Sequence, residues 1–280
     1  MQKLADLHVH TYLSDGTFSP EEVVEYSKSR GLNAVAITDH DSCGAITPAV
    51  KRGKDLGLEV IPGVELSVEL DEEEMHMLGY FIDWQNTSFI KKLEDMTRIR
   101  KERAKEILGK LKKHGIDISE EELFELSGPG SVGRSHIANL LARKGFVNSI
   151  SQAFSKYIGN NGPCYVKKFK LSPKEGIDII KGIGGISVLA HPKTININNR
   201  PTEEILKALL KDGIQGIEVY YPEHTPQDEE NFKKLAEKYD LLMTGGSDCH
   251  GSSKKGPLIG KVKVPYELVE KMKESLHLSQ

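Results

Sequence analysis

An α/β barrel interrupted by a helical insertion is the fold this sequence predicts, on three observations. Short apolar runs alternate with amphipathic segments from the N-terminus to about residue 82, and again from residue 172. The stretch between, from about Ser88 to Ile158, reads as four helices and no convincing strand. Histidines and acidic residues collect at the ends of the apolar runs, where the βα loops of a barrel gather reactive groups. A chain of 280 residues suits one such domain.

In order, Lys3 to Val9 is a short apolar strand. Ser19-Pro20-Glu21-Glu22 starts a helix, with Ser19 as N-cap, Pro20 in the first helical position and Glu22 completing a capping box. Val23, Val24 and Tyr26 supply its buried face, and Gly31 ends it. Ala34 to Thr38 is the next strand, followed by a helix from about Ala45 to Leu56 and a strand at Glu59-Val60-Ile61. Val64 to Leu70 and Met75 to Ile82 form a hairpin across the acidic turn Asp71-Glu72-Glu73-Glu74. After the insertion come a helix from Ser172 to Lys181, a strand Ile186 to Ala190 and a helix Thr202 to Lys211. A strand Gly216 to Tyr220, a helix Pro226 to Tyr239 and a strand Leu241 to Thr244 follow. The expected division is a discontinuous barrel, residues 1–87 and 166–280, and a helical insertion, residues 88–165.

Composition narrows the class. Apolar residues make up 38% and charged residues 28%, as in a globular protein. No apolar run approaches the roughly 20 residues that span a bilayer, and the N-terminus meets charge too early for a signal peptide, so a cytoplasmic location without membrane contact is expected. Cys43, Cys164 and Cys249 are too few and too scattered for a disulfide framework or a thiolate zinc site. A net charge of −3 argues against global attraction to nucleic acid.

The candidate ligands recur at strand ends. In His8-Val9-His10 the two rings are two residues apart and share one face of a strand, so both can reach one ion. Asp15 follows in the loop. His40 stands between Asp39 and Asp41 after the second strand, and Gly63-Val64-Glu65 offers a carboxylate able to bridge two cations. His76 lies on the following strand, His191 ends Ser187-Val188-Leu189-Ala190, and Asp248-Cys249-His250 repeats the two-apart spacing. A single HxH arises by chance in alternating strands, and a lone Asp15 or Asp41 reads as a cap or turn residue. The set has no core-packing explanation, because so many polar groups brought together without compensation would be costly. Imidazole and carboxylate together suit zinc, iron or manganese. Nine ligands exceed what one ion needs, so two or three divalent metal ions are expected. Cys249 is read as facing away from the ligands on either side of it, and His114, His224 and His277 as surface residues.

At these residues the chain resembles the PHP (polymerase and histidinol phosphatase) family. Asp6-Leu7-His8-Val9-His10, Ser14-Asp15-Gly16, Thr38-Asp39-His40-Asp41, Pro62-Gly63-Val64-Glu65, Leu189-Ala190-His191-Pro192 and Gly246-Ser247-Asp248-Cys249-His250 follow its motifs in order. The resemblance implies a distorted (β/α)7 TIM-like barrel holding up to three metals. His76-Met77-Leu78-Gly79-Tyr80, Gly133-Arg134-Ser135-His136-Ile137-Ala138 and Gly162-Pro163-Cys164-Tyr165-Val166 are similar to the bacterial subgroup with a helical insertion. Members of that subgroup are nucleoside 3′,5′-bisphosphate phosphatases, some of which trim RNA from the 5′ end. The resemblance assigns one metal to His8, His10, Glu65 and Asp248, a second to Asp15, His40 and His250, and a third to Glu65, His76 and His191. It gives Arg134 and His136 the substrate phosphate. Ser135 and Lys167 stand where proline is expected and Cys249 where an aromatic residue is expected; none of the three removes a ligand.

The implied reaction is hydrolysis of a nucleotide phosphate ester by metal-bound hydroxide, without a covalent enzyme intermediate. The substrate would be a nucleoside 3′,5′-bisphosphate, an AMP-like monophosphate or the 5′ end of a short RNA, with no obligate protein partner. From Ser88 to His114 ten Lys/Arg face four Asp/Glu, a local excess that could guide a polyanion, although a charged helix is more often simply solvated. Three rivals stand beside this reading. A histidinol-phosphate phosphatase would not need the insertion. An amidohydrolase would use a metal-bridging lysine that no strand end supplies. A non-catalytic metal- or nucleotide-binding module would tend to lose ligands.

Overall fold

The computed structural model describes residues 3–71, 73–128, 132–167, 171–195, 200–252, 257–262 and 264–278, the side chains of 277 and 278 excepted. The chain forms two compact units, Met1–Ile90 with Lys170–Gln280, and Lys91–Phe169.

The first unit is built on an eight-stranded sheet. β1 (Leu4–Asp6), β2 (Ala34–Ile37) and β3 (Glu59–Leu70) run parallel through the helices α1 (Pro20–Ser29) and α2 (Ile46–Leu56). The capping box at Ser19 and Glu22 is formed, and Val23 and Val24 are buried as α1's inner face, with Tyr26 only half-buried. β3 does not break at Pro62-Gly63 as the sequence suggests. It continues as one strand of 12 residues, with Pro62 in register opposite Ile37 of β2 and Gly63 tolerating a close approach. A Cβ on Gly63 would stand 2.9 Å from the Ile37 carbonyl oxygen. β4 (Glu73–Tyr80) returns antiparallel to β3, pairing Leu70 with Glu73, with Asp71 at φ 51° in the turn and Glu72 outside the described residues.

β5 (Ile186–Leu189), β6 (Gly216–Tyr220) and β7 (Leu242–Gly245) complete the barrel strands. The strand order is β7-β6-β5-β4-β3-β2-β1, with a short β8 (Val264–Pro265) antiparallel to β1. β8 carries only two residues, too few for a periodic signal, and its sequence gave no warning of it. Beyond β1 and β7 the two chain segments meet again. Leu7 N–H donates to the Gly245 oxygen at 3.1 Å, His10 N–H donates to the Cys249 oxygen at 3.0 Å, and Val9 bridges Cys249, so the sheet nearly closes on itself. Gly246 permits this seam: a Cβ there would lie 2.3 Å from the His8 nitrogen.

Alternation along the strands separates an apolar plug from a polar mouth. Ile61 and Glu65 share one face of β3, as do Tyr80, Leu78 and His76 on β4. Ile61, Leu78 and Tyr80 pack with Ile186 and Val188 in one buried cluster, which leaves the ligand end of each strand polar.

The second unit is helical: most of α3 (Thr87–Lys113), with α4 (Glu120–Ser127), α5 (Arg134–Arg143), α6 (Ile150–Ala153) and a π-helical turn Phe154–Ile158. Its own core includes Ile107, Leu111, Leu123, Ile137, Leu141, Ala153 and Ile158. The helices α7 (Pro173–Gly182), α8 (Thr202–Asp212), α9 (Pro226–Lys238) and α10 (Glu267–Leu278) belong to the barrel unit. Among the described residues no helix is long and apolar enough to cross a membrane.

Candidate metal centre

Six of the barrel strands, with the loops that follow them, bring nine side chains to one end of the barrel. His8 and His10 follow β1, with both rings fully buried. The chain past β2 keeps pairing with β3: Asp41 N–H donates to the Glu65 oxygen at 3.0 Å and Glu65 N–H to the Asp39 oxygen at 3.2 Å. That pairing sets His40 Nδ1 3.2 Å from Glu65 Oε2. His76 reaches the same end from the first half of β4 rather than from a strand terminus, since β3 overshoots the barrel rim and β4 runs back down. Asp41, His191 and Asp248 adopt φ of 47°, 25° and 48°, a region that residues with a Cβ seldom enter. Such strain concentrates where surrounding structure over-determines a functional turn.

Glu65 is the hub. Its Oε2 lies 3.1 Å from His8 Nε2 and 3.1 Å from His10 Nε2, and its Oε1 lies 3.0 Å from His76 Nδ1 and 3.1 Å from His191 Nε2. Three groups of donor atoms lie within 4.8 Å of one another: His8, His10, Glu65 and Asp248; His10, Asp15, His40 and His250; and His40, Glu65 and His76. His191 Nε2 joins the last group, 3.3 Å from His76 Nδ1. The geometry thus brings His10 into the second group and His40 into the third, beyond the sets implied by resemblance.

The donors fit divalent cations. His10 Nε2, Asp15 Oδ1 and His40 Nδ1 are buried with an oppositely charged atom 3.1–3.2 Å away but no well-aligned hydrogen bond among the described residues, an arrangement better satisfied by an electrophile in the space between them. Burial disfavours charge on His10, but Asp248 and Glu65 outweigh it and lift its pKa to about 10. Burial likewise opposes the charged form of His76, and Glu65 overrides it to about 9. For His40 burial wins, and its pKa falls to about 3 despite Glu65 and Asp15. Burial would raise the carboxyls of Glu65 and Asp248, yet His40 beside the first and His8 beside the second hold both well below the usual range. The cluster therefore keeps ionised carboxylates among crowded imidazoles, the electrostatic background in which cations replace protons.

Several supporting residues escaped sequence reasoning. Buried Asp39 accepts from Thr11 N–H at 2.7 Å, Ser14 Oγ at 2.6 Å and Thr11 Oγ1 at 2.6 Å, fixing the loop between His10 and Asp15. Asp6 accepts from Ser247 N–H at 2.8 Å and Gly260 N–H at 3.0 Å. Glu218 on β6 and Tyr221 just beyond it contact ligands directly. The available signal was a carboxylate between Ile217 and Val219 on a barrel strand, where a charge needs a buried partner. Cys249 faces away from the ligands, its Sγ accepting from Gly251 N–H and Leu258 N–H at 3.3 Å each. His114 is exposed, but His224 is not a surface residue. It is buried against Phe232, and its Nδ1 lies 2.7 Å from the Val219 oxygen. His224 lies in the five-residue loop, Tyr221 to Thr225, between β6 and α9. His277 lies outside the described side chains.

In the second unit Arg134 opens α5, whose N-cap is Gly133. Its Nη1 donates to the Ile158 oxygen at 3.2 Å and to Asn160 Oδ1 at 2.9 Å, and its guanidinium lies 5.6 Å from the ring centres of both Phe154 and Tyr165. It lines a pocket of about 460 Å³ with Phe154, Asn160, Asn161 and Gly162. His136 Nδ1 accepts from Gly133 N–H at 3.1 Å, so the neutral ring carries its proton on Nε2.

The PHP domain family matches residues 6–168, more than half of the chain. This chain belongs to the PHP domain family. Among PHP relatives it is 32% identical over 250 residues to a 5′-3′ exoribonuclease of Haemophilus influenzae, covering 89% of this chain and 91% of that protein. It is 30% identical over 256 residues to a 3′,5′-nucleoside bisphosphate phosphatase of Chromobacterium violaceum, covering 91% and 90%. A crystal structure from Bifidobacterium adolescentis, assigned as a metal-dependent phosphoesterase, superposes with a TM-score of 0.85 at 29% identity over 96% of this chain and 95% of that one.

Proposed function

We propose that this PHP hydrolase uses a two- or three-ion centre to cleave nucleotide phosphate esters, with a nucleoside 3′,5′-bisphosphate, an AMP-like monophosphate or the 5′ end of a short RNA as substrate. The observation that carries the reading is Glu65, whose two oxygens each meet imidazoles from different donor groups, so that one carboxylate joins adjacent ion positions. The proposed ligands are His8, His10, Asp15, His40, Glu65, His76, His191, Asp248 and His250. Clustered cations of manganese, zinc or iron acidify water and neutralise phosphate charge.

The chain's own residues do the rest. Glu65, Asp248 and Asp15, ionised by their imidazole neighbours, supply the negative charge that holds cations in a buried site. Arg134 is proposed to hold a substrate phosphate. Nη1 is taken by Ile158 and Asn160, and flanking by Phe154 and Tyr165 holds the guanidinium plane, so that Nε and Nη2 present a fixed fork. His136, with its proton on Nε2, is a donor to phosphate or to a leaving oxygen.

Phosphate release measured with manganese across adenosine 3′,5′-bisphosphate, AMP, a 5′-phosphorylated oligoribonucleotide and histidinol phosphate tests the reading. Turnover of one or more of the nucleotide substrates is expected. Turnover of histidinol phosphate alone, or tight nucleotide binding without turnover under any divalent metal, would refute it.

A further inference from the structure

We propose that Glu218 is a positioning residue that ties two of the metal subsites together, one through His8 and the other through His191. The inference rests on the metal-centre reading above. β6 is the parallel barrel strand that contributes none of the nine candidate ligands, yet it places a fully buried carboxylate directly behind them. A buried carboxylate costs several kcal/mol unless each oxygen is engaged. Here each is: Oε1 lies 3.0 Å from His8 Nδ1, and Oε2 accepts from the His191 backbone N–H at 2.7 Å.

The two contacts do different work. When the His8 ring gives up its extra proton to a cation, donation from Nδ1 to Glu218 leaves Nε2 as the bare nitrogen, and Nε2 is the atom 3.1 Å from Glu65 and 3.5 Å from Asp248. Glu218 thereby selects the tautomer able to bind a cation. At His191 the contact is to the backbone, where φ is 25° and ψ is 61°. The N–H bond holds that unfavourable turn between β5 and Pro192. It also sets the ring, whose Nδ1 lies 2.8 Å from Thr194 Oγ1 and whose Nε2 lies 3.1 Å from Glu65 Oε1. Only a group with two acceptors serves both N–H donors. A glutamine of the same shape has one acceptor and one donor, so in either amide orientation one N–H faces an NH2.

The experiment compares wild type, Glu218→Gln and Glu218→Asp. Each is stripped of metal, checked by circular dichroism and titrated with manganese, with bound metal counted by elemental analysis. Glu218→Gln is expected to keep the wild-type spectrum and to bind manganese about 10- to 100-fold more weakly. The loss falls on the subsites of His8 and His191 and spares that of Asp15, His40 and His250. Glu218→Asp keeps both acceptors and should fall between. Wild-type affinity and stoichiometry in Glu218→Gln would overturn the proposal and leave the metal centre intact, whereas wild type that binds no manganese would remove the metal reading itself. If Glu218→Gln does not fold, Glu218→Asp decides: weakened binding supports the proposal and unchanged binding overturns it.

Discussion

Tyr221 donates its phenol hydroxyl to Asp248 Oδ2 at 2.9 Å, while Asp248 Oδ1 lies 3.1 Å from His10 Nε2. One oxygen of a candidate ligand is thus fixed by a neutral donor and the other is left to the centre. Burial pushes the phenol's pKa up, so the hydroxyl stays a donor throughout the neutral range. Tyr221→Phe should leave the fold unchanged and weaken manganese binding by about 10-fold, within the span typical of such supporting contacts. Calorimetric titration of metal-free protein measures it, and equal affinities would show that Asp248 needs no such support.

His10 belongs to two donor groups, Asp15 to one. His10→Ala should therefore lose more bound metal than Asp15→Ala, and kcat/KM should fall by about 100-fold or more. Elemental analysis of the two variants, purified alike, makes the comparison. The same metal content in both would argue against the shared role of His10.

The metal-free protein should lose stability as pH rises above neutrality. His10 and His76 titrate at about 10 and about 9 in the folded state, against 6.5 for an unperturbed imidazole. Their contribution is fully present below about 6.5 and is lost as pH climbs through the folded values. Glu65 and Asp248, held low, contribute above the ordinary carboxylate range, and that contribution fades only as pH falls through their depressed values. Manganese must displace the imidazole protons, so its apparent affinity should rise between pH 6.5 and 8. Thermal melts of metal-free protein from pH 7 to 10 would show a falling Tm; a flat profile would contradict the pairing of these rings with Glu65 and Asp248.

Arg134→Lys keeps the charge but loses the planar fork flanked by Phe154 and Tyr165. It should lower kcat/KM on a nucleotide by about 10- to 100-fold, equivalent to about 1.5–3 kcal/mol, the range for a hydrogen bond to a charged group. Metal content should stay at the wild-type level. Steady-state kinetics beside elemental analysis separates the two effects, and unchanged kinetics would remove Arg134 from substrate binding.

Most of the centre was legible because its chemistry is written in close spacing. His8 with His10, and Asp248 with His250, lie two apart beside strands, where alternation alone decides that they share a face. The capping box of Ser19 and Glu22 and the proline starts of α1, α7 and α9 likewise fix helix ends locally. What sequence reasoning missed depends on distant pairing. β3 looked like two strands because Pro62 and Gly63 are local breakers, while the partners that keep it continuous, Ile37 and Tyr80, come from other strands. His224 looked exposed because its neighbours are polar, yet its burial comes from Phe232, one helical segment away. Glu218 shows no motif at all, and its role appears only when His8, 210 residues earlier, is placed against it.

Phosphate release from adenosine 3′,5′-bisphosphate, AMP and a 5′-phosphorylated oligoribonucleotide, assayed before chelation, after rigorous metal removal and after manganese add-back, tests the account most directly. The predicted result is activity that disappears with the metal and returns with it, in step with the metal bound per chain. Full activity in protein stripped of divalent ions would contradict it.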